Sequence, residues 1–164
     1  MKRILQEIFL TLCFVGRLKA SGTFGSLVSI PIGLGILFFS QETLFLSALL
    51  VGAIAIKQID IYEQNGGMHD DKSIVIDELV GMWIAMSFFA PKLLLDKGMW
   101  WFVGAMAVSF VLFRIFDICK PSWIGRIDRE VKGGLGVVGD DVLAGLCAGI
   151  CAKLLVFGAT LVFV

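Results

Sequence analysis

Five largely apolar runs, separated by polar segments, order this chain from end to end. Phe24 to Phe39 is uncharged and carries Pro31 within it; Ser40-Gln41-Glu42 breaks it, and Thr43 to Ile56 is apolar again. A bilayer asks for about 20 residues at about 1.5 Å rise each. The first two runs therefore read as short or tilted spans in a hairpin, with a re-entrant pair as the alternative. Ile74 to Leu95 is the third run, with Pro91 near its end and the loop Asp96-Lys97-Gly98 after it. Met99 to Phe116 is the fourth and opens with Trp100-Trp101, as an interfacial aromatic belt predicts. Val142 to Val164 is the fifth, with Lys153 as its only charge. Before them, residues 4–16 mix apolar positions with Gln6 and Glu7. That segment reads as a short amphipathic helix on the membrane face, or as a short span. It lacks the small-residue cleavage site of a secretory signal.

The expected fold is all-α: a polytopic membrane helix bundle of about five embedded helices plus the N-terminal amphipathic one, in a single domain over residues 1–164. Composition agrees. Apolar residues make up 58% and charged residues 17%, against about 45–50% and about 25% in soluble domains. The 14 basic and 14 acidic residues cancel, so nothing suggests a nucleic-acid partner. Cys13, Cys119, Cys147 and Cys151 form no CxxC pair, and the single histidine leaves no zinc set. They read as small apolar residues, with no disulfide required.

Five crossings with the N-terminus inside would place Lys2, Arg3, Arg17, Lys19, Lys57, Lys72, Arg114, Lys120, Arg126, Arg129 and Lys132 on the cytoplasmic side. Only Lys92 and Lys97 fall opposite. That asymmetry sets the orientation, and it gathers both long polar segments on one face.

The chemistry concentrates in His69-Asp70-Asp71-Lys72-Ser73-Ile74-Val75-Ile76-Asp77-Glu78, which runs straight into apolar sequence. Carboxylates at the edge of hydrocarbon are costly and mark function. If the helix extends back to Asp70, then Asp70 and Asp77 share a face. Gly81, four residues after Asp77, leaves bare backbone where another helix can approach. Asp140-Asp141, followed by Ala144-Gly145, repeats the pattern. Such acids also serve as helix caps, but capping needs one acid per helix, not two. Hard oxygen donors without a cysteine or histidine set fit magnesium better than zinc.

Arg114, Lys120 and Arg126, interleaved with Asp117, read either as headgroup anchors or as a phosphate clamp. Lys120-Pro121 breaks the helix and fixes the amine in a turn. Ser21-Gly22-Thr23-Phe24-Gly25-Ser26 places free N–H groups and hydroxyls at a helix entry, an anion site or an ordinary cap; it is not a nucleotide P-loop. His69 is a loop residue, or it orients a water or pairs with phosphate. No GxSxG, HExxH or DxDx[TV] pattern occurs, which favours activated water over a covalent intermediate.

His69-Asp70, with Ser73-Ile74-Val75-Ile76-Asp77-Glu78-Leu79-Val80-Gly81-Met82-Trp83-Ile84, resembles phosphatidylglycerophosphatase A. So do Phe113-Arg114-Ile115-Phe116-Asp117-Ile118-Cys119-Lys120-Pro121, Gly133-Gly134-Leu135-Gly136 with Asp140-Asp141, and Gly22-Thr23-Phe24-Gly25-Ser26. The motifs fall in order across residues 22–146. Ser21 stands where the family often has proline, and Ser122-Trp123 replaces a common Trp-Pro. The resemblance implies a magnesium-dependent enzyme of the bacterial inner membrane. It would hydrolyse phosphatidylglycerophosphate to phosphatidylglycerol and phosphate, the last step of phosphatidylglycerol synthesis, at a site facing the cytoplasm. The residues expected to act are Asp70, Asp77, Glu78 and Asp117 in catalysis, with Asp70 as first choice to position water. Thr23, Ser26, His69, Arg114 and Lys120 are expected on phosphate. Asp77, Glu78, Asp140 and Asp141 are expected on one or two magnesium ions. The rival readings are a divalent-cation transporter or channel, which predicts acids at mid-span, a CDP-alcohol phosphotransferase, whose DGxxAR pattern is absent, and a structural adaptor.

Overall fold

The computed structural model describes residues 2–68 and 71–163, and among them it is helical throughout, with no strand. An amphipathic helix α1 (Lys2–Leu10) opens the chain. It ends earlier than the sequence predicts, because Leu12, Cys13 and Phe14 all take left-handed backbone angles (φ 48°, 56° and 68°). This reversal brings Gly16 against the Ser73 carbonyl, where a Cβ would sit 1.9 Å from the oxygen. The Val75 N–H bonds the Leu10 carbonyl at 2.9 Å. The N-terminal segment thus holds the turn that leads to Asp77.

Helix α2 (Ser21–Leu37) runs through Pro31, and α3 (Gln41–Gln64) starts at a Ser40 cap whose Oγ accepts from the Thr43 N–H. Helix α3 is longer than the apolar run because it continues through Lys57 to Gln64. Its buried stripe of Leu44, Ala48, Gly52, Ala55 and Ile59 follows helical spacing.

The third run is not one span. It forms α4 (Ile76–Met86) and, after a break, the short α5 (Pro91–Leu95). Every residue of α4 except Asp77 and Glu78 is buried, as expected for a helix apolar all round and enclosed by others. Helix α4 begins at Ile76, so it does not extend back to Asp70. Helix α6 (Met99–Cys119) follows, with Trp100 85% exposed at its start. After it come the amphipathic α7 (Trp123–Glu130) and the 30-residue α8 (Gly134–Phe163). Three helices, α3, α6 and α8, are long and apolar enough to cross a membrane, and α2 is a shorter apolar helix. The count is somewhat lower than the roughly five embedded helices expected, because α4 stops after 11 residues and α2 after 17.

Helix α8 starts eight residues earlier than the apolar run at Val142 predicts. Asp60 of α3 supplies the reason: its Oδ1 accepts from the Gly134 N–H at 2.7 Å and caps α8 from outside. Asp140 and Asp141 therefore lie two turns inside α8, with no acid in its first turn. Capping does not explain them.

Candidate active site

The site is set by a helix crossing. Gly81 of α4 and Gly145 of α8 meet backbone to backbone: a Cβ on Gly145 would lie 2.2 Å from the Gly81 carbonyl oxygen, and one on Gly81 would lie 2.6 Å from that of Asp141. Asp77 stands four residues before Gly81, and Asp141 four before Gly145. Residues four apart share a helix face, so the crossing turns both acids into the same space. Asp140 and Asp141 are buried, only 5% and 3% exposed.

Two basic residues on or just beyond α6 each bridge two carboxylates. Arg114 Nη1 lies 2.5 Å from Glu78 Oε2 and 2.6 Å from Asp117 Oδ2. Ser26 of α2 joins this group: its hydroxyl lies 2.7 Å from Glu78 Oε2 and 2.8 Å from the Gly22 carbonyl, and accepts from Arg114 Nη1 at 3.4 Å. Gly22 leaves room for it, since a Cβ there would sit 2.0 Å from Glu78 Oε1. Lys120 makes the second bridge, its Nζ 2.5 Å from Asp128 Oδ1 and 2.6 Å from Asp140 Oδ2. Lys120 caps α6 with left-handed angles (φ 42°, ψ 56°); Pro121 bars helical continuation. Burial works against its charge, but the two carboxylates outweigh it and hold the amine above the ordinary lysine pKa.

The carboxylates and Lys120 border a cavity of about 340 Å³ lined by Asp71, Asp77, Glu78, Asp117, Asp128, Asp140 and Asp141 with Lys72 and Lys120, and by Ser21 and Gly136. Asp71 accepts from Tyr62 Oη at 2.5 Å and from the Ser73 N–H at 2.9 Å. Burial pushes its pKa up, and these hydrogen bonds more than offset that, leaving it below the usual carboxylate range.

The residues expected on phosphate divide. Lys120 lines the cavity; Arg114 does not, and its Nε is buried without a partner among the described residues. Ser26 is fully buried behind Glu78, and Thr23 is half-buried off the lining. His69 and Asp70 lie outside the described residues. The expected acids Asp77, Glu78, Asp117, Asp140 and Asp141 all face the cavity. Sequence reasoning assigns no individual role to Asp128 or Lys72, and places Ser21 only within the helix-entry segment. Asp128 sits in Arg126-Ile127-Asp128-Arg129-Glu130, which reads as a solvated charge run; its spacing of four from the buried Ile124 was the available signal.

Among the described residues, no three acidic, histidine or cysteine side chains form a ready metal cage. Magnesium does not need one, because it is held by one or two carboxylates with waters and phosphate oxygens. Asp77 and Asp141 fit that use: no basic side chain among the described residues pairs with either.

The phosphatidylglycerophosphatase A profile matches residues 8–156. The chain belongs to that family. It is 38% identical over 130 residues to phosphatidylglycerophosphatase A of Escherichia coli K12, covering 79% of this chain and 70% of the relative. It is 37% identical over 133 residues to the Haemophilus influenzae protein of the same name, covering 79% and 74%. A Bacteroides thetaiotaomicron protein named for a proposed phosphatidylinositol-3-phosphatase activity is 33% identical over 131 residues, covering 77% of each chain. No solved structure gives a significant match. Family membership makes this protein a phosphoric monoester hydrolase acting on a lipid, and its three long apolar helices make it a membrane protein. The transporter reading gives way to the enzyme.

Proposed function

We propose that this enzyme hydrolyses phosphatidylglycerophosphate to phosphatidylglycerol and inorganic phosphate, with magnesium, at the cytoplasmic face of a bacterial inner membrane, as the last step of phosphatidylglycerol synthesis. The observation that carries the reading is the cavity lining. Seven carboxylates against two lysines leave an excess of five negative charges if all ionise. A phosphomonoester carries about two negative charges and would be repelled from such a site without added positive charge. Asp77 and Asp141 would hold the magnesium, with Glu78 and Asp140 beside them. When bound, the ion would supply charge stabilisation to the phosphoryl group.

The chain's own residues do the rest. Lys120 takes a phosphate oxygen. Arg114 holds Glu78 and Asp117 in place from behind. A carboxylate positions the attacking water; Asp70, next in sequence to the cavity-lining Asp71, is the first choice. Water oxygen bonds to phosphorus, the bond from phosphorus to the glycerol oxygen breaks, and that oxygen leaves with a proton. Most of the rate comes from positioning and electrostatics, as is general for phosphoryl transfer.

The test is phosphate release by detergent-purified protein from phosphatidylglycerophosphate, phosphatidic acid and phosphatidylinositol 3-phosphate, with and without chelator. Release from the first, abolished by chelator and restored by magnesium, is the expected result. Equal or faster release from phosphatidylinositol 3-phosphate would shift the headgroup toward that of the Bacteroides relative. Activity untouched by chelator would remove the metal. Labelling of Lys72→Cys from one side of sealed vesicles reads the sidedness.

A further inference from the structure

We propose that Asp128 is the positioning residue of Lys120. The inference rests on the reading of Lys120 as the ligand of the substrate phosphate. A lysine ammonium has three N–H donors. Asp128 and Asp140 engage two of them, at 2.5 Å and 2.6 Å, and one remains for a phosphate oxygen. With Asp140 alone, the amine would be free to turn about a single contact. The second carboxylate, from a different helix, fixes where it stands and where its last donor is offered.

Helix α7 is built to deliver that carboxylate. Gly125 packs on the turn that Lys120 caps; a Cβ there would lie 2.5 Å from the Lys120 carbonyl oxygen. Ile124 is buried, 3% exposed, and Asp128 follows it by one helical turn on the same face. Ile127 rests against α8 at Gly139, beside Asp140. Of the other charges of α7, Arg126 and Glu130 pair with each other in solvent, and Arg129 folds its guanidinium back over Gly125. Asp128 is thus the one acid of α7 that lines the cavity, and it lines it by touching the lysine.

The experiment compares wild type, Asp128→Asn, Asp128→Glu, Lys120→Met and the Asp128→Asn/Lys120→Met double variant in phosphate release by full-length purified protein, with thermal unfolding alongside. Asp128→Asn should lower kcat/KM about 10- to 100-fold, the scale of a hydrogen bond to a charged group. Asp128→Glu should recover most of it. In the Lys120→Met background, Asp128→Asn should cost less than about threefold more, because a residue acting through another has nothing left to act on. Losses that multiply in the double variant overturn the proposal, as does wild-type activity in Asp128→Asn beside an impaired Lys120→Met. Full activity in Lys120→Met overturns instead the reading of Lys120 as phosphate ligand. If Asp128→Asn does not fold, Asp128→Glu decides: activity near wild type supports the proposal, and a loss as deep as that of Lys120→Met overturns it.

Discussion

The two carboxylate–cation–carboxylate bridges at the cavity have the same charge and different surroundings. Around Arg114 the side chains of arginine, Glu78 and Asp117 are 15%, 13% and 15% exposed. Around Lys120, the lysine and Asp128 are 30% and 36% exposed, and only Asp140 is deep, at 6%. The arginine lies behind the cavity wall and the lysine on it. A planar guanidinium suits a fixed, desolvated node between helices, whereas an ammonium on a flexible stem suits a donor that meets a changing partner. Formal charge alone would give the two bridges the same task; the proposed division into a brace and a phosphate ligand rests on their different burial.

The largest effect should come from the acids that neither bridge neutralises. Asp77→Asn and Asp141→Asn should each lower phosphate release by about 10²- to 10³-fold or more, the scale for loss of one key electrostatic group, with expression and melting near wild type. Full activity in either breaks the assignment. Next, the bridges should fail differently. Arg114→Met should lower stability by about 3–5 kcal/mol, as for a broken buried pair, and activity with it. Lys120→Met should melt close to wild type but lose about 100-fold in kcat/KM. Identical profiles would erase the distinction. Gly145→Ala should cost about 1–3 kcal/mol in unfolding through overpacking at the crossing, and it should lower activity by moving Asp77 from Asp141. Smallest, Ser26→Ala should cost about 1 kcal/mol and a few-fold in kcat, read by unfolding and steady-state kinetics, because it loosens Glu78 without removing it.

Much of this arrangement was legible in the sequence. The apolar runs gave the all-helical membrane fold, and the Asp-to-Gly spacings at 77–81 and 141–145 marked the close helix approach that the structure contains. Helix ends were less legible because tertiary contacts set them. Asp60 caps α8 across 74 positions of sequence and moves its start upstream of the acids. No periodicity in residues 74–95 announces that α4 stops at Met86. The partners of Arg114 and Lys120 were hidden for a similar reason. Asp117 is three residues from Arg114 and was within reach of pattern reading. Asp128 and Ser26 reach their partners only because α7 folds onto the Lys120 turn and Gly22 admits Glu78 against α2.

The brevity of α4 bears on how the enzyme is made. Eleven residues rise about 16 Å, half the hydrocarbon thickness, and a backbone ending within lipid must be covered by protein. Its cover includes α8, which leaves the ribosome after it. A nascent chain that already carries Asp77 and Glu78 therefore lacks the rest of the proposed site until α8 has entered the bilayer and docked. The chamber closes only when α8 docks, so products truncated before α8 carry Asp77 and Glu78 without the acids that face them.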